Sequence, residues 1–142
     1  MCAARDEVAE LKNLYLSSPM DFYFTAQGDD PEIDGVDDIK EFKSTQEAFK
    51  LLGFTAKEQA NILKILAGIL QLGNVQFEAG TGKMDSETCS IPNKSENLQY
   101  FAELFEIEED QIRKWLCNRK IVTARESYTK PIGAESVSSI FL

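Results

Sequence analysis

From Ile62 to Leu72 the chain reads Ile-Leu-Lys-Ile-Leu-Ala-Gly-Ile-Leu-Gln-Leu, with Lys64 and Gln71 its only strongly polar residues. The run is too short and too interrupted to span a bilayer, which needs about 20 apolar residues. Just before it Thr55 and Glu58 stand three apart, the spacing of a capping box, so the pattern predicts a helix running to about Leu72 and ended by Gly73. Ile62, Leu63, Ile65, Leu66, Ile69, Leu70 and Leu72 wrap most of its circumference. A helix apolar on nearly every side belongs in the middle of something.

The remaining elements are mostly helical. Ala4, Val8, Leu11 and Tyr15 follow helical spacing, and Pro19 should close that first helix. Phe22-Tyr23-Phe24 is an aromatic cluster, followed by a loop over Gly28 to Gly35. Another helix should begin near Asp38, with Asp38 and Glu41 as its capping box, a buried stripe of Ile39, Phe42, Phe49 and Leu52, and a left-handed stop at Gly53. Val75 to Glu78 and Cys89 to Ile91 read as strands around a turn at Gly80-Thr81-Gly82. Ser95 caps a helix with the face Leu98, Phe101, Ala102 and Phe105, and a shorter helix carries Ile112, Trp115 and Leu116. Ile121 to Thr123 and Ser127 to Thr129 predict a second hairpin. The expected fold is mainly α, with five or so helices and two small β-hairpins.

Composition narrows the chemistry. With 142 residues, 43% of them apolar, the chain suits one domain or a piece of one. It contains no histidine, which removes histidine-based nucleophilic catalysis and histidine metal sites together. Cys2, Cys89 and Cys117 are too few and too scattered for a disulfide framework or a zinc site. Charges within the first 16 residues interrupt any signal-peptide run, so a soluble, intracellular protein is expected. The net charge of −9 is uneven: all 24 acids except Glu126 and Glu135 precede Arg113, whereas Arg113, Lys114, Arg119, Lys120, Arg125 and Lys130 crowd the far end. An acidic body with a basic end points to an acidic partner for that end.

Two motifs imitate ligand sites. Gly80-Thr81-Gly82-Lys83 ends like a phosphate loop, but Phe77 stands where its first Gly is required and Met84 where a magnesium-binding hydroxyl is required. Asp30, Glu32, Asp34, Gly35, Asp38 and Glu41 fall at positions one, three, five, six, nine and twelve of a calcium loop. Against that reading, Pro31 stiffens the second position, and Gly28 with its neighbours gives no entering helix. Neighbouring acids such as Asp37 and Asp38 suit helix starts better than acid–base catalysis, so no catalytic or metal residue is assigned.

Three runs carry a resemblance. They are Ile33 to Asp38 with Phe42 and Ala48-Phe49 to Gly53-Phe54; Ile65 to Val75; and Trp115-Leu116-Cys117 with Arg119-Lys120, Thr123, Glu126, Tyr128 and Lys130-Pro131. In order and spacing they resemble the upper 50-kDa subdomain of the myosin motor head, the third run being most similar to class V-like unconventional heads. The resemblance covers Cys2 to about Ile132, so residues 1–132 read as a partial motor domain and 133–142 as a non-matching tail, as a truncated or differently joined product would give. It implies that Phe77 to Pro92 is the family's loop 4, which leans on actin, with Lys83 as an actin-binding residue. It also implies that Asn118 to Pro131 is its actin-docking cardiomyopathy loop, with Arg119, Lys120, Arg125 and Lys130 as actin-binding residues. Glu126 falls at the position where the family carries an acid or a phosphorylatable residue, a regulatory position.

The implied parent is an actin-activated ATPase motor using Mg-ATP, cytoplasmic and cytoskeleton-associated. Its implied partners are the actin filament and the remainder of the head, with no nucleic acid and no membrane insertion. The family's phosphate loop and switch I would lie upstream of Met1, and switch II downstream of Leu142. This chain alone is therefore expected to hold no cofactor, to hydrolyse nothing and to bind actin weakly. Two other readings stand beside it: a free-standing acidic helical interaction module, which should unfold cooperatively, and a calcium-binding, EF-hand-like protein.

Overall fold

A computed structural model describes residues 1–28, 30–80, 88–123, 126–134 and 136–137. The chain forms two compact units, Met1–Asn74 and Val75–Leu142. Their described residues are mainly α, with two small antiparallel strand pairs.

The first unit departs from expectation at its start. In place of one helix closed by Pro19 there are 3-10 turns at Cys2–Ala4 and Ala9–Leu11, separated by Val8 in an extended conformation. Pro19 opens a third turn, Pro19–Asp21, capped by Ser18. The helix-like periodicity is real, since Ala4, Val8, Leu11 and Leu14 are buried. Short turns satisfy it equally well, and Val8, β-branched, resists the continuous ladder. Tyr15, expected on the buried face, instead takes a left-handed φ of 53° and is partly exposed.

Helix α1 spans Asp38–Leu51. Its cap is Asp37, one residue earlier than expected: Asp37 Oδ1 accepts from the amides of Ile39 and Lys40, both at 3.0 Å. Of the expected stripe only Phe42 is buried, and Leu52 is 75% exposed. The end of α1 follows its glycine. Gly53 takes φ 86°, its amide donates to the Lys50 carbonyl, and the Phe54 amide donates to the Phe49 carbonyl. These are the two bonds of a Schellman stop, and the Phe49 and Phe54 rings, 5.3 Å apart, supply the apolar contact across it.

Helix α2 spans Ala56–Gly73 and begins with the Thr55–Glu58 capping box. The Thr55 hydroxyl and amide both donate to Glu58 Oε2, which holds the Glu58 carboxyl below its ordinary pKa. The contribution of that pair is present above the carboxyl's unfolded pKa and is lost as pH falls through its lowered folded value. Gln59, Leu63, Ala67 and Gln71 form the buried stripe, while Ile65, Leu66 and Ile69 are about half exposed. Apolar residues thus lie on both sides of α2, as its sequence suggested.

The end of α2 explains the Gly73-Asn74 pair. Asn74 accepts from the Tyr23 amide at 2.7 Å and donates to the Asp21 carbonyl at 2.6 Å, tying the helix end to the aromatic cluster. The Phe24 ring lies so near that a Cβ on Gly73 would sit 2.5 Å from it. Alanine improves intrinsic helix propensity by about 1 kcal/mol, but overpacking costs roughly 1–3 kcal/mol. Gly73→Ala should therefore lower stability by about 1 kcal/mol in urea unfolding and become neutral or stabilising in a Phe24→Ala background. Destabilisation persisting in that background would exclude the ring as the cause.

In the second unit, β1 (Glu78–Ala79) pairs antiparallel with β2 (Cys89–Ser90), shorter than the strands expected from alternation. Helix α3 (Glu96–Phe105) is capped by Ser95 and buries Leu98, Ala102 and Leu104. Helix α4 (Glu109–Cys117) packs on α3 and β2. It passes without a connecting loop into β3 (Asn118–Val122), which pairs antiparallel with β4 (Ser127–Pro131).

Candidate functional site

The β3–β4 hairpin carries the basic residues singled out in the sequence, and α4 sets its base. Arg113 anchors that helix. Its Nη1 donates to the Ile91 and Pro92 carbonyls at 2.7 and 2.9 Å, and its Nη2 to the Asn93 carbonyl at 3.3 Å and to Glu109 Oε2 at 3.3 Å. Arg113, counted from sequence with the basic end, is therefore engaged inside the unit. Where α4 becomes β3, Asn118 Nδ2 donates to the Lys114 carbonyl, and the Ile132 amide donates to the Cys117 carbonyl at 3.0 Å, closing the base of the ladder.

Cys117 lies at this junction beside Cys89. Burial, then the neighbouring Cys89 thiol, push the Cys117 thiol up to about 12, against a smaller opposing pull from Arg113. It stays protonated and unreactive near neutral pH, a packing residue.

The register distributes the charges. Arg119 faces Lys130, Lys120 faces Thr129, Ile121 faces Tyr128 and Val122 faces Ser127. Because successive strand residues point to opposite faces, Arg119, Ile121, Tyr128 and Lys130 share one face, and Lys120 lies on the other. The bases grouped together from sequence are thus divided. Arg119, Lys120 and Lys130 are exposed, as is Tyr128. Arg119 and Lys130 face each other directly, which concentrates positive charge on that side of the hairpin. Arg125 and Lys83 lie outside the described residues.

Beyond the paired strands, Thr123 and Glu126 are bonded to each other. The Thr123 amide donates to the Glu126 carbonyl at 2.8 Å, the Thr123 hydroxyl donates to the same oxygen at 3.0 Å, and the Glu126 amide donates to that hydroxyl at 3.2 Å. Glu126 is exposed. Sequence reasoning gave Thr123 no such role. A threonine followed three residues later by the end of a hairpin turn is the signal that could have found it. Trp115, placed from sequence with Ile112 and Leu116, is 59% exposed on α4, whereas Ile112 is buried.

The calcium-like loop is arranged differently. Asp37 is engaged as the α1 cap, Asp30 Oδ1 accepts from the Glu32 amide at 2.9 Å, and Glu41 lies within α1. Residues 31–39 line an open cleft of about 550 Å³ with Arg5 on its wall. Among the described residues, no group of three or more acids or cysteines could hold a metal ion. Nor is any helix among them long and apolar enough to cross a membrane.

Comparison with known proteins supplies the family. The model of the myosin head (motor domain) matches residues 1–141. The chain is 43% identical over 132 residues to unconventional myosin-Va of Gallus gallus, covering 93% of this chain and 7% of that protein. It is 42% identical over 137 residues to unconventional myosin-Vb of Homo sapiens, covering 96% and 7%. Myosin-4 of Saccharomyces cerevisiae is 38% identical over 115 residues, covering 81% and 8%. The chain thus spans less than a tenth of the length of these curated relatives. With the three motif runs, the two strand pairs and the helical framework, these matches establish that the chain belongs to the myosin motor-head family.

Proposed function

We propose that this chain is part of an actin-based, ATP-driven myosin motor and contributes the β3–β4 hairpin to its filament-binding surface. The observation that carries the reading is the placement of exposed Arg119 and Lys130 side by side on one face of the hairpin, positive charge that an acidic filament surface would complement. Lys120 adds positive charge on the other face, and Glu126 at the tip is the regulatory acid. Lys83 and Arg125 belong to the same proposed contact. The other partner is the remainder of the head. The half-exposed Ile65, Leu66 and Ile69 on α2 favour that pairing, because an apolar face of this kind is stable when covered. Mg-ATP chemistry belongs to the complete head. This chain's own residues include no phosphate loop, and phosphoryl transfer depends on positioned phosphate, metal and attacking water. The motor's setting is the cytoplasmic cytoskeleton.

Co-sedimentation of the 142-residue chain with filamentous actin tests the contact. Exposed ion pairs contribute about 0.2–1 kcal/mol each, so binding should be weak at low salt and largely lost at about 0.15 M salt. Pelleting no greater than that of an acidic control protein at low salt would overturn the filament assignment.

A further inference from the structure

We infer that Thr123 is a positioning residue that fixes Glu126 at the hairpin tip, so that any effect of Glu126 on the filament contact passes through the Thr123 hydroxyl. The inference deepens the proposed function and rests on it for its functional half. The turn sequence Thr123-Ala124-Arg125-Glu126 contains no glycine, asparagine, aspartate or proline, the residues that ordinarily set a tight reversal. Thr123 and Glu126, which flank its two central positions, are bonded to each other. The Thr123 amide and hydroxyl both donate to the Glu126 carbonyl, and the hydroxyl oxygen accepts from the Glu126 amide, so both backbone polar groups of Glu126 are held by one residue.

The rest of the hairpin gives the tip little help. An isolated two-stranded ribbon is marginally stable. The firm attachment of this one is at the other end, where the ladder joins α4 through the Ile132 amide and the Cys117 carbonyl. The Glu126 carboxylate is exposed, and the backbone that carries it is held by Thr123.

The test uses a complete myosin head carrying this segment, with Thr123→Val, which keeps the branched shape and removes the hydroxyl, and Thr123→Ser, which keeps the hydroxyl. Hydrogen exchange of the peptide covering the turn reads the clamp directly. A lost hydrogen bond of ordinary net strength corresponds to about threefold to tenfold faster exchange. That acceleration is expected in Thr123→Val and not in Thr123→Ser. The functional half is read from Glu126→Gln in each background. It should reduce actin activation about threefold beside Thr123 or Thr123→Ser, and by less than about 1.5-fold beside Thr123→Val. Unchanged exchange in Thr123→Val overturns the clamp. Altered exchange with a full Glu126→Gln effect in every background overturns the coupling while leaving the filament assignment intact. Altered exchange with no Glu126→Gln effect in any background overturns the functional half of the inference together with the regulatory role of Glu126.

Discussion

Arg113→Met should destabilise the chain by about 2–4 kcal/mol in chemical unfolding, a large loss for a charged side chain. Hydrogen bonds from a charged donor contribute about 1.5–3 kcal/mol each where they are shielded, less where water competes. The Arg113 side chain is 18% exposed and serves three consecutive carbonyls. Ile91, whose carbonyl receives the shortest of these bonds, is buried, so that oxygen would be left poorly satisfied. The pair with Glu109 is more exposed and adds little. Arg113→Lys should recover less than half of the loss, because a point ammonium cannot fork across neighbouring carbonyls as a planar guanidinium does. A loss below about 0.5 kcal/mol for Arg113→Met would show that the 91–93 segment does not depend on this anchor.

Arg113 also marks a limit of what the sequence discloses. Its partners are backbone carbonyls some twenty residues upstream, and no side-chain pattern announces a carbonyl acceptor. It therefore read as one more charge on a basic end. Features decided within a few residues were legible. Thr55 and Glu58 form their box because both groups sit within one turn, and Gly53 stops α1 because only its φ of 86° lets the two stop bonds form without strain. The α1 start slipped by one residue because Asp37 and Asp38 are equally good caps, and spacing alone does not choose between them. The first sixteen residues failed differently. Burial at Ala4, Val8 and Leu11 is compatible with an α-helix and with successive 3-10 turns, and packing decided. In the candidate site, hairpin pairing and exposed bases were legible. The separation of Arg119 from Lys120 follows from strand alternation once the register is known. The Thr123 clamp needed coordinates.

That separation makes the charge experiment directional. In a complete head carrying this segment, Arg119→Glu should weaken actin affinity about tenfold at low salt, while Lys120→Glu should weaken it about threefold or less. Arg119 and Lys130 face each other, so the new carboxylate removes one attraction to an acidic filament, adds a repulsion and draws Lys130 into a cross-strand pair. Lys120 faces Thr129, and its reversal disturbs one charge only. The same Arg119→Glu change replaces a like-charge opposition by an attraction, so hairpin exchange should slow even as filament binding weakens. A merely unfolded hairpin cannot give that combination. Both variants should show a shallower salt dependence, and association should slow more than dissociation accelerates, because charge at an interface rim mainly steers encounter. Glu126→Lys completes the set. If charge alone matters, the added base tightens binding; if an acid is required there, affinity rises or holds while actin activation falls. Equal losses in Arg119→Glu and Lys120→Glu would show that the Arg119–Lys130 face contributes no more than the Lys120 face, and unchanged affinity, salt slope and activation in all three variants would remove the hairpin from the filament interface.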